Sequence, residues 1–160
     1  MKQLLYNALS YCNANSTELI IDPIICAGED GSVWSSEYGS AIKAFERDEN
    51  YEKELECYQR LDRANISEIN GLAVPRLIGF DDEKRIVEMT IVQEPYILDF
   101  GKVYLDQPPP YANDPHIIEW HEAKILRDFG PNATQVFMVL HHLRTMGIYY
   151  ADPHCRNICF

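Results

Sequence analysis

The feature that most constrains how this chain can fold is a proline-rich stretch, Leu105-Asp-Gln-Pro-Pro-Pro-Tyr-Ala-Asn-Asp-Pro115. Proline removes a backbone donor and fixes φ, so neither a helix nor a strand ladder can run through it. The chain therefore divides into a part built before the stretch and a shorter part built after it. The connection falls in the stretch or just ahead of it.

The first part opens with an extension over residues 1–22, where Leu4, Leu5, Ala8 and Leu9 recur at helical spacing. Asn and Tyr interrupt the apolar run that a signal peptide would need, so Met1–Cys12 is a packing helix. Asp22-Pro23 then breaks the chain, and Ile24–Ala27 reads as a short strand. Gly28-Glu-Asp-Gly31 turns into a strand over Ser32–Ser35, and Glu37-Tyr-Gly39 turns again into Ser40–Phe45. On that last strand Ala41, Lys43 and Phe45 share a face. Asp48 or Asn50 can cap a helix from Tyr51, whose stripe of Tyr51, Leu55, Tyr58 and Leu61 suits packing on a sheet. It ends near Asn65. Val74–Phe80 and Arg85–Val92 read as two more strands around a polar turn.

After the proline stretch, residues 116–129 are helical, and Asn132 or Thr134 opens a second helix with Val136, Val139, Leu140, Leu143 and Met146 on one face. Gly147 closes it. The expectation is an α+β chain. Residues 23–104 form a five-stranded antiparallel lobe with one helix, and residues 105–160 a shortened helical lobe.

Composition excludes several classes. With 25 acidic and 14 basic residues the formal charge is -11, and the Lys and Arg are scattered, which disfavours nucleic acid and anionic membrane surfaces. No apolar window is long enough to span a bilayer. The 5 cysteines are odd in number and lack a C-x-x-C pair, which argues for a reducing, cytoplasmic setting rather than a disulfide framework. A metal reading of Cys155, Cys159 and His154 is disfavoured, because a loop-to-strand change between them would turn the side chains apart.

Four groups carry chemistry. The turn Cys26-Ala-Gly28-Glu-Asp-Gly31-Ser-Val33 lets the backbone approach a phosphate, although a two-glycine turn is more often a plain hairpin and its two acids would repel phosphate unless they point outward. Lys43 lies in an apolar strand, where a buried ammonium needs a counter-charge. Glu54 is placed to supply it, with Glu49, Glu52 and Glu56 as rivals on the same helix. Asp152 and Asn157 follow the last helix at a spacing that suits phosphoryl transfer, the Asp taking a hydroxyl proton and the Asn carbonyl holding a metal ion. Taken singly, each of these residues has a plainer role in a turn, a strand edge or a helix surface.

In that order, the set resembles the protein-kinase-like superfamily from about Ile24 to Phe160. The resemblance implies that Gly28, Gly31 and Val33 belong to a glycine-rich loop, that Lys43 holds nucleotide phosphates with Glu54 as partner, and that Arg85–Val92 leads to an adenine-contacting hinge at Met89–Val92. It implies ATP and Mg²⁺ as cofactors, Asp152 as catalytic base, and Asn157 as metal ligand. His154 stands where serine/threonine kinases place a lysine, as in small-molecule phosphotransferases. Tyr150-Ala151-Asp152 replaces His-Arg-Asp.

No Asp-Phe-Gly segment follows Asn157, so only one of the two usual protein ligands for magnesium is expected, with weak catalysis or none. The chain is then a fragment of a longer kinase or a reduced module. In the second case a nucleotide, or a protein partner or second copy docked where the second lobe is short, is the expected partner.

Overall fold

The computed structural model describes residues 2–28 and 30–160. Met1 and Glu29, which the sequence places in the first helix and the glycine turn, lie outside the described residues. Helix α1 (Lys2–Ala14) buries Leu4, Ala8, Tyr11 and Cys12, the face expected of an amphipathic packing helix. Strands β1 (Leu19–Ile20), β2 (Cys26–Gly28), β3 (Gly31–Ser36) and β4 (Ser40–Phe45) follow, then α2 (Asp48–Arg63). Next come β5 (Glu68–Ile69), β6 (Leu72–Ala73), β7 (Leu77–Asp81), β8 (Ile86–Thr90), β9 (Tyr96–Ile97) and β10 (Val103–Leu105). Beyond the proline-rich stretch lie α3 (Pro115–Phe129), α4 (Ala133–Thr145), β11 (Ile148–Tyr150) and β12 (Ile158–Cys159).

The main sheet has the order β1-β3-β4-β8-β7, with β2 also on β3, and every pair in it is antiparallel. The expected five strands are there: β4 has the expected bounds, β3 is one residue longer at each end, β2 and β7 begin and end later, β8 is shorter, and β1 is added at an edge. Strand β4 is buried along its whole length because both its faces are covered. Ile42 and Ala44 pack with Leu4, Ala8 and Trp34 under α1, while Ala41 and Phe45 join the stripe of α2 on the other side. Alternation on a strand thus turns Lys43 toward α2.

The helical half is stitched to this sheet more closely than the proline stretch suggests. Strand β10 pairs antiparallel with β11, and β9 pairs antiparallel with β12 and parallel with β6. By pairing, residues 96–105 join residues 148–159, and through β6 they join the first part as well. One core cluster runs from Tyr58 and Leu61 of α2, through Phe100, to Val136, Val139 and Leu143 of α4.

One expected cap is corrected. The N-cap of α2 is Arg47, with no side-chain cap bond, because Asp48 is drawn to Arg85 (2.8 Å) and Asn50 to Asp30 (2.7 Å). Asn132 stands at the N-cap of α4, as one of the two expected positions, without a side-chain cap bond, and Asp114 accepts from His116 and Ile117 backbone N–H at the start of α3. The fold is α+β with mostly antiparallel strands. Among the described residues no helix is long and apolar enough to cross a membrane.

Candidate functional site

The site is built around Lys43. Its Nζ donates to Glu54 Oε2 at 2.6 Å and to Asp99 Oδ1 at 3.1 Å. Glu54 is buried because it falls within the inward stripe of α2, three residues after Tyr51 and one turn before Tyr58. Its rivals are engaged elsewhere or exposed: Glu49 binds Lys53 at 2.6 Å, Glu56 binds Arg60 at 2.8 Å, and Glu52 faces solvent.

Asp99 is the residue that sequence reasoning missed. It belongs to Asp99-Phe100-Gly101, just after β9, and the left-handed backbone of Asp99 (φ 60°) turns its carboxylate to Lys43. Phe100 is fully buried and anchors the turn by edge contacts with Tyr58 (5.4 Å) and Tyr150 (5.6 Å). A Cβ on Gly101 would sit 3.3 Å from Glu54 Oε2, so the smallest residue lets the turn close on the pair. The signal was legible as a tripeptide. It stands upstream of Asn157, however, whereas the expected order places the second carboxylate after that residue, and it recurs as Asp128-Phe129-Gly130 at the end of α3. Asp99 thus adds a carboxylate beside Lys43 that the expected site did not include.

Asn157 is buried (8% exposed) and sits across from Leu98, whose N–H donates to the Asn157 carbonyl at 2.8 Å. The β9–β12 register thus sets Asn157 one residue from Asp99. Tyr150 Oη donates to Leu98 O at 2.6 Å and ties the same turn to β11. Asp152 lies at the mouth, its side chain 37% exposed, with Lys124 Nζ at 3.7 Å and His154 Nε2 at 3.6 Å. The ring of His154 is fixed from behind, its Nδ1 accepting from Arg156 N–H at 3.1 Å. Lys102, directly after Gly101, has its Nζ 3.3 Å from Asp30 Oδ2, and the charge of Asp30, then of Asp152 and Asp99, pushes it above its usual range. A depression of about 370 Å³ opens there, lined by Asn50, Lys53, Lys102, Tyr104, Tyr111 and Asp152.

The electrostatics follow from two carboxylates sharing one ammonium. Burial alone would lower Lys43, but Glu54 and Asp99 overcome it and hold the ammonium above its usual range. Burial likewise works against Asp99, yet Lys43 and then Lys102 hold it below the usual carboxylate range. Glu54, fully enclosed, bears the cost, and burial pushes it up to about 7 although Lys43 pulls the other way. The pair of acids splits, with the more exposed one ionising first. While Glu54 keeps its proton, the ionised Asp99 balances Lys43.

At the glycine turn Gly28 pairs with Gly31 across antiparallel β2 and β3. A Cβ on Gly31 would run into the Ala44 carbonyl, so strand packing accounts for that glycine. Asp30 does not point outward. It accepts from Asn50 at 2.7 Å and lies 3.3 Å from Lys102 Nζ, folding the tip over the start of α2. Val33 and Met89 flank β4 from either side, Val33 opposite Lys43 and Met89 opposite Ala41, and both pack on the core. Cys155 and Cys159 part company, the first bonding Asp128 O and the second Glu94. Among the described residues no three His, Cys, Asp or Glu side chains form a metal-holding group.

Asp99 and Asn157 offer a carboxylate and a carboxamide oxygen, donors suited to a hard cation that takes its other ligands from phosphate and water. No protein-family model, curated protein or solved structure matches this chain.

Proposed function

We propose that this chain is a protein-kinase-like nucleotide-binding domain that transfers phosphate from ATP. The observation that carries the reading is the meeting of Asp99 with Lys43 and Glu54, one residue from the strand position opposite Asn157. Lys43, fixed by Glu54, holds nucleotide phosphates. Asp99 and Asn157 would hold magnesium, which neutralises charge on the phosphates when bound. Val33 and Met89 supply apolar wall, and Asp152 accepts the proton of the attacking hydroxyl. Four of the six lysines, Lys43, Lys53, Lys102 and Lys124, gather here in a chain of net charge -11, which supports an anionic ligand. Asp99 beside Lys43 is a carboxylate that the expectation of weak catalysis left out.

Thermal melting in ATP, with and without Mg²⁺, tests the reading. Ligand at a hundredfold over Kd adds about 2.7 kcal/mol, which raises Tm by roughly 5–10 °C for a chain of this size. An unchanged Tm in MgATP removes the reading. A second reading, a partner-binding module without catalysis, is favoured by exposed apolar residues on α3 and α4: Trp120 (58%), Leu126 (58%) and Met138 (53%). Under it, sedimentation shows self-association or capture of a protein partner, with no ADP formed.

A further inference from the structure

The position two residues after Asp152 holds His154 rather than a lysine, and an imidazole carries charge only when protonated, whereas an ammonium is charged throughout the neutral range. A cation reaches Asp152 from elsewhere. Lys124 of α3 extends to the loop, its Nζ 3.2 Å from Pro153 O and 3.7 Å from Asp152 Oδ1, with its side chain only 19% exposed. A lysine serving solubility alone would stand free in water instead of lying against a loop carbonyl.

The helix holds this lysine in place. Ile125 and Phe129 are buried in the core and fix the rotation of α3, while Asp114 caps its start. Two further ties join the end of α3 to the same segment: Cys155 Sγ bonds Asp128 O at 3.4 Å, and Phe129 meets Phe160 edge-on at 6.3 Å. The loop carrying Asp152 is thus docked on α3, with Lys124 at the contact nearest the carboxylate.

We infer that Lys124 is a positioning residue for Asp152, orienting its carboxylate for the proton transfer. The inference rests on the phosphotransfer reading above. Two roles are separable: a neutral brace needs only a donor to Pro153 O, while orienting an ionised carboxylate needs positive charge. Arginine preserves the charge and the donor, and methionine preserves only the apolar stem.

The experiment measures ADP release from MgATP by the whole chain, together with ATP affinity and Tm, for wild type, Lys124→Met, Lys124→Arg and Asp152→Asn. Lys124→Met is expected to lower kcat by roughly tenfold to a hundredfold, part of the range a general base contributes, with KM for ATP and Tm near wild type. Lys124→Arg restores most of the rate. Turnover by Lys124→Met within about twofold of wild type, against a 10²-fold scale for the base, overturns the inference. So does a loss that arginine does not rescue and that tracks a fall in Tm, which would make Lys124 a brace. Wild type that binds MgATP but releases no more ADP than Asp152→Asn removes both the base and its positioning residue. Wild type that does not bind MgATP removes the underlying reading itself.

Discussion

At the scale of single residues, the site is governed by Lys43 holding two acids. Lys43→Met leaves Glu54 enclosed without its partner, a change that costs about 3–5 kcal/mol when the remaining charge cannot be relieved. Glu54 can take a proton, so urea denaturation should show a larger loss at pH 8 than at pH 5. The wild type carries its own pH signature. Because the folded-state value of Glu54 is raised from 4.5 to about 7, folding resists its ionisation, and stability falls as pH rises through that window. Glu54→Gln removes the titration, so the stability of wild type relative to this variant should decline between pH 5 and pH 8. A flat difference would show that Glu54 ionises freely. Asp99 works in the opposite sense, since its lowered value adds stability above 3.8 that is lost in acid. The Lys43–Glu54 pair was legible in the sequence because a lysine in an apolar strand demands a counter-charge and the helix phase offers one. Asp99 was not, because a loop Asp carries no periodicity and its tripeptide stands on the unexpected side of Asn157.

At the scale of elements, legibility followed length. The stripes of α2 and α4 and the strands β3 and β4 are long enough to show their period, and they stand where the spacing puts them, whereas the three-residue β2 begins two residues later than Ile24. Strands β5, β6, β9 and β12 span two residues each, too few for alternation to register, and they are made by pairing alone. Caps failed where a stronger partner competed, as Arg85 does for Asp48. Asp114 has no such competitor, and Asp114→Ala should cost about 1 kcal/mol in chemical denaturation. Arg60 joins three elements: both its terminal nitrogens bind Asp106 at 2.7 Å, its Nε binds Glu56, and it donates to Met146 O at the end of α4. Arg60→Ala should cost about 1–3 kcal/mol, and Arg60→Lys should recover little of it because an ammonium cannot make the paired contact. Full recovery by lysine would mean that charge alone matters there.

At the scale of the whole molecule, the arrangement depends on strands far apart in sequence. Strand β9 is reached before the helical half is built, and β12 closes the chain, yet their pairing sets Asp99-Phe100-Gly101 against the segment that carries Asn157. Reading residues in order along the chain gives no access to that juxtaposition, since the pairing partners are separated by the proline stretch and two helices. The central claim is that Asp99 supplies the carboxylate that, with Asn157, makes nucleotide binding depend on magnesium. Isothermal titration of ATP into wild type and Asp99→Asn, each with and without Mg²⁺, tests it most directly. Wild type should bind at least about tenfold more tightly with Mg²⁺ than without, a difference of about 1.4 kcal/mol, and Asp99→Asn should lose that gain while keeping its magnesium-free affinity. An equal magnesium gain in both proteins, or no ATP binding by wild type, would contradict the account.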